Sequence, residues 1–131
     1  MGNRFLTIAA VSGFLAVAVG AFAAHRLGVE HMVWLDTGWR YQVMHTLALL
    51  AVGFFVAAKP EQPACRKRAL NIVAFFWMLG IVCFSFGLYT LAMGVHAVRM
   101  IVPVGGTSFL IGWLVLAFIS IRSSLAAKRL G

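Results

Sequence analysis

The chain has 131 residues, of which 63% are hydrophobic and only 11% charged, and its mean hydropathy is +0.97. A soluble domain of this length cannot bury so much apolar surface in one core, because small domains keep much of their surface wet; lipid has to cover the rest. The net charge of +8 lies in separate short blocks without an aromatic stacking platform, which argues against nucleic acid and for attraction to anionic lipid.

A first apolar run spans residues 5–23 and contains no charged side chain. Asn3 and Arg4 before it, and Ala21-Phe22-Ala23 at its end, also fit a cleaved secretory signal. The further apolar runs downstream favour a retained membrane helix. Residues 26–40 (RLGVEHMVWLDTGWR) are mixed in character. Trp34 and Trp39 suit the headgroup zone. Asp36 and Arg40 are four apart and pair on a helix. This stretch is expected to form a short interfacial helix feeding the second span, residues 41–58.

Residues 59–68 (KPEQPACRKR) read as a tight turn with two prolines and four bases. The third span covers residues 69–93 and the fourth residues 101–121, with a short connection between them. Pro103, Gly105 and Gly106 loosen the first turns of the fourth span. Each span approaches the roughly 20 apolar residues that a helix needs to cross a bilayer. The expected fold is therefore all-α: a polytopic membrane protein, with residues 1–131 as a single integral membrane domain built as a four-transmembrane-helix bundle.

Lys and Arg in short loops set orientation. Arg4, Lys59, Arg66, Lys67, Arg68, Arg122, Lys128 and Arg129 lie on one side. Arg26, Arg40 and Arg99 lie on the other. This asymmetry places both termini in the cytoplasm. Helices in lipid associate through close packing rather than a hydrophobic drive. Ser12, Ala16 and Gly20 recur every four residues on the first span, and Gly80, Gly87 and Gly94 every seven on the third. These six are the expected packing positions.

The remaining polar side chains collect towards the outer side. His25, Gln42, His45 and Tyr89 are expected to approach one another beside the Pro103–Gly106 break, where bare backbone carbonyls would accept from an imidazole. Such a group either binds a ligand or only clasps helix ends. The three acids, Glu30, Asp36 and Glu61, all lie outside the spans, which argues against carboxylate-based proton-coupled transport. Cys65 and Cys83 have no metal spacing. No nucleophile is accompanied by a base and an acid. The expectation is a non-catalytic membrane protein without cofactor or metal site, binding a small ligand, lipid or partner helix at this cluster. The bilayer is its expected partner, with a homo-oligomer or a second membrane protein as the protein contact. The alternatives are a small oligomeric transporter and a haem or quinone redox protein.

GAFAAHRL, YQVMHTLALL, FSFGLYTLA and PVGGTSFLIGW occur in this order along the chain. Together they resemble the YgdD-type family of small four-helix bacterial inner-membrane proteins. The family commonly has glycine where this chain carries Ala23. The resemblance implies an inner-membrane location and supplies no biochemical role. The matching motif positions are Gly20, His25, Tyr41, Gln42, His45, Tyr89, Pro103, Gly105 and Gly106.

Overall fold

Lipid offers the backbone no hydrogen-bond partners, so a chain of apolar runs this long folds as helices that satisfy themselves. A computed structural model of the chain describes residues 2–26 and 29–130. Its helices are α1 (Gly2–Arg26), α2 (Val29–Ala58), α3 (Ala64–Gly80), α4 (Phe86–Ala92) and α5 (Val102–Leu130). A π turn at Ile81–Ser85 joins α3 to α4, so Ala64–Ala92 is one continuous span. Four segments are long and apolar enough to cross a membrane: Arg4–Ala23, Met32–Ala58, Ala64–Ala92 and Val102–Ala126. They run up and down, which leaves both chain ends at one end of the bundle, hereafter the termini end.

The stretch read as a separate interfacial helix is helical, but it is continuous with the second span. At about 1.5 Å per residue, the 30 residues of α2 reach roughly 45 Å, well beyond a hydrocarbon core of about 30 Å. The excess carries Trp34 and the Arg40 Nε–Asp36 Oδ2 pair at 2.8 Å, the polar and amphipathic groups that lipid cannot take. No proline separates them from Tyr41, and Gly38 between them packs against the third span, so the helix continues.

The fourth span also differs from expectation. It is helical from Val102, with Pro103 in its first turn, where the missing N–H would have no intrahelical partner anyway. The outward faces are apolar: Phe14, Val17, Leu47, Phe54, Phe75, Leu110, Leu114 and Phe118 are all exposed. The interior holds Phe5, Ala9, Leu49, Val52, Leu70, Val73, Trp77, Ile81 and Phe109 in one cluster.

Five of the six expected packing residues meet a neighbouring helix. Ser12 bonds to Thr46, the Ala16 carbonyl accepts from Trp39, and Gly20 lies beneath the Trp39 indole. Gly80 seats the Phe109 ring, and a Cβ on Gly87 would meet Val102 Cγ2 at 3.0 Å. Gly94 is the correction. Its φ is +86° and a Cβ there would meet nothing within 4 Å. It ends α4 in a Schellman turn: Gly94 N–H donates to the Leu91 carbonyl at 2.9 Å and Val95 N–H to the Thr90 carbonyl at 3.1 Å. Its glycine character serves the left-handed backbone, not helix contact.

Candidate functional site

α2 carries a polar face in the order Gln42, His45, Thr46, and each side chain finds partners on other helices or its own backbone. Gln42 is 0% exposed. Its Nε2 donates to the Ser12 carbonyl at 3.0 Å and lies 3.4 Å from Ser12 Oγ. Its Oε1 accepts from the Tyr89 hydroxyl at 2.6 Å. The Ser12 and Thr46 hydroxyls share a hydrogen bond of 2.6 Å. Trp39 Nε1 donates to the Ala16 carbonyl at 2.8 Å. The Ser12, Gln42, Thr46 and Tyr89 bonds form one network joining α1, α2 and α4, and the Trp39–Ala16 bond adds a separate link between α1 and α2.

His45, also 0% exposed, forms a second group with α3 and α5. Nδ1 lies 2.7 Å from the Tyr41 carbonyl, and Nε2 lies 3.0 Å from the indole Nε1 of Trp113. A carbonyl only accepts and an indole N–H only donates, so the ring is the neutral Nδ1–H tautomer. Phe109 stacks on the imidazole with centroids 3.6 Å apart and planes 14° from parallel. Phe109 in turn rests in the space left by Gly80, and Trp77 approaches His45 edge-on at 6.0 Å.

The expected site is thus assembled in part. Gln42 and Tyr89 meet directly. His45 lies one turn along the same face, with its own partners. The side chain of His25 lies outside the described residues. Pro103, Gly105 and Gly106 do not supply the acceptor for His45; its Nδ1–H goes to Tyr41 within its own helix. Gly105 instead packs against the backbone of Cys83 and Phe84, and Gly106 faces the Phe84 ring. The Pro103 carbonyl accepts from Thr107 at 2.9 Å.

The His45 group sits towards the middle of the helices that carry it. His45 is midway along Met32–Ala58, and Trp77 and Trp113 lie near the middle of their own spans. Tyr89 lies nearer the end remote from the termini. Thr46, Phe109 and Trp113 were not singled out in the sequence, and Trp39 reads there as a headgroup aromatic, not as a donor to α1. An indole N–H inside a span favours a nearby acceptor, so Trp113 was a legible candidate partner for a buried polar side chain; Trp77 was another, but its buried Nε1 has no partner. Among the described residues no three His, Cys, Asp or Glu side chains gather where they could hold a metal ion.

Fold and site together define a polytopic helical membrane protein in which Ser12, Gln42, His45, Thr46 and Tyr89 are hydrogen-bonded inside the bundle, while Trp77 Nε1 and Ser85 Oγ are buried without a partner. Residues 19–106 match the family model described as "Protein of unknown function (DUF423)", and the chain belongs to that family. It is 42% identical over 130 residues to a UPF0382 membrane protein of Haemophilus influenzae, covering 94% of this chain and 98% of that one. It is also 42% identical over 133 residues to the UPF0382 inner membrane protein YgdD of Escherichia coli K12, covering 93% of each. A UPF0382 membrane protein of Staphylococcus saprophyticus is 33% identical over 119 residues, covering 86% of this chain and 92% of that one. No solved structure matches the chain. The family resemblance read from the sequence is borne out, and with it the inner-membrane assignment.

Proposed function

We propose that this is a non-catalytic inner-membrane binding protein with both termini in the cytoplasm. Its buried polar groups act as a clasp, and it meets its ligands, lipid or a partner helix, on the outward faces of the bundle. The observation that carries this reading is the saturation of His45 and Gln42. Both ring nitrogens of His45 are engaged, and both ends of the Gln42 amide are engaged. A ligand atom, a transported proton or an iron ion would have to displace one of these bonds in a dry interior, where leaving a polar group unpaired costs about 1–3 kcal/mol.

Vesicles containing the full-length protein test this. A dye that reports internal pH should record no proton flux above that of protein-free vesicles. His45→Ala and Trp113→Phe should each lower the melting temperature in detergent. Flux that disappears in His45→Ala while its melting temperature holds would overturn the reading. So would a visible haem band in the purified protein that is lost in the same variant.

A further inference from the structure

At the termini end, α2, α3 and α5 leave a groove of about 390 Å³. Its walls are apolar along the membrane direction, with Val52, Phe55, Leu70 and Leu116. Its rim is polar, with Arg66, Ser120 and Ser123. Arg66 is held there by two contacts. Nη2 donates to Ser123 Oγ at 2.7 Å, and the guanidinium lies over the Phe55 ring, 5.6 Å from its centroid. Ser123 Oγ donates onward to the Ile119 carbonyl at 2.7 Å. The ring also faces Lys59 Nζ at 5.6 Å.

The arrangement is cationic and short of anions. A guanidinium has five N–H donors, and Ser123 takes one. Arg66 has no carboxylate partner, since Asp36 and Arg40 make the ion pair found among the described residues. Glu61 is the one acid in the connecting turn, against Lys59, Arg66, Lys67 and Arg68. The α3 N-terminus directly before Arg66 has no side-chain cap and no acid in its first turn, so its positive dipole end is also uncompensated.

We propose that this groove is a binding site for an anionic glycerophospholipid. The phosphate engages the Arg66 guanidinium and the Ser120–Ser123 rim, and one acyl chain lies along Val52, Phe55 and Leu116. A lipid fits because the cationic rim and the apolar walls are one continuous surface beside the bilayer. A free phosphate would use only the rim. The site rests on the outward-face reading above and names the ligand class for one of those faces.

Native mass spectrometry of the full-length protein tests it. The protein is released from micelles holding equal amounts of phosphatidylglycerol and phosphatidylcholine. The wild type should retain phosphatidylglycerol preferentially. Arg66→Gln should reduce that preference on the order of tenfold, the scale of one charge-assisted contact. Arg68→Gln removes the same charge from an exposed neighbour outside the groove and should change the preference by less than about twofold. Ser120→Leu fills the rim with Arg66 intact and should also reduce retention, so a misfolded Arg66→Gln leaves the test standing.

Four results would overturn the proposal: no lipid preference in the wild type, equal losses in Arg66→Gln and Arg68→Gln, full displacement by millimolar inorganic phosphate, or a dimer that Arg66→Gln dissolves. The second means diffuse attraction, the third a free anion and the fourth a second copy in the groove. Absent lipid preference with no proton flux would sink this site alone. Flux dependent on His45 would sink the underlying reading.

Discussion

Gln42 shows how one side chain can join three helices without being a reaction site. Its amide N–H groups reach the Ser12 backbone on α1 and its oxygen receives the Tyr89 hydroxyl from α4. Interhelical bonds of this kind are worth about 0.6–2 kcal/mol in membranes. Tyr89→Phe would leave Gln42 Oε1 unpaired at a position with no exposure. It should lower stability by that order, read as a lower melting temperature in detergent. Ser85 is the contrast. It is 0% exposed, yet its hydroxyl has no partner. Thr90, Thr107 and Ser108 each return a hydroxyl bond to the carbonyl four residues back. At Ser85 that carbonyl belongs to Ile81, which the π turn pairs with Phe86 N–H instead. Ser85→Ala removes an unpaired buried group and should leave the melting temperature unchanged or raise it. A large drop would mean that the hydroxyl has a partner in the membrane.

At the scale of helices, α2 and α5 each bring a glycine against the backbone of the π turn. Gly38 on α2 faces the Ser85 carbonyl and Leu88 Cβ, and Gly105 on α5 faces the Phe84 amide and Cys83 carbonyl carbon. The wider turn pushes backbone towards both helices, and only glycine leaves room for it. Gly105→Ala should therefore cost on the order of 1–3 kcal/mol by overpacking. Gly106→Ala should stay within about 0.5 kcal/mol, since its Cβ would sit 3.6 Å from the Phe84 ring, an ordinary contact. Thermal melts of the two variants compare neighbours in one helix, and equal losses would remove the special role of the π turn.

The same region shows what the sequence could and could not carry. Charge-free runs made all four spans legible, and regular spacing revealed Ser12, Ala16 and Gly20. Gly38 was hidden in a mixed stretch without periodicity. Gly105 looked like part of a helix break because its role depends on a backbone distortion in another span. Gly94 shared the seven-residue spacing of Gly80 and Gly87, but spacing does not report the sign of φ. For the polar cluster, residue types pointed to Gln42, His45 and Tyr89. Their partners followed only from how α1 and α5 rotate against α2.

Considered as a whole molecule, the bundle is electrically one-sided. Both chain ends and the 59–68 turn share one end, which carries eight Lys and Arg residues against three at the other. Because the loops are short, this bias is the kind that sets orientation during insertion. The cationic end should face the anionic cytoplasmic leaflet, where each base near the surface contributes about 1 kcal/mol. Orientation is the last expected outcome. A C-terminal reporter active only in the cytoplasm should work, and the same reporter inserted at Met100, in the α4–α5 connection, should not. The reverse pattern would reject the orientation. The charge argument can also be separated from any property of the helices. Replacing Lys59, Arg66, Lys67 and Arg68 together by Gln reduces the difference from eight against three to four against three, and should yield a mixed population in which both reporters gain or lose activity in part. An unchanged topology in that variant would mean that the remaining bases or the first span alone fix the orientation.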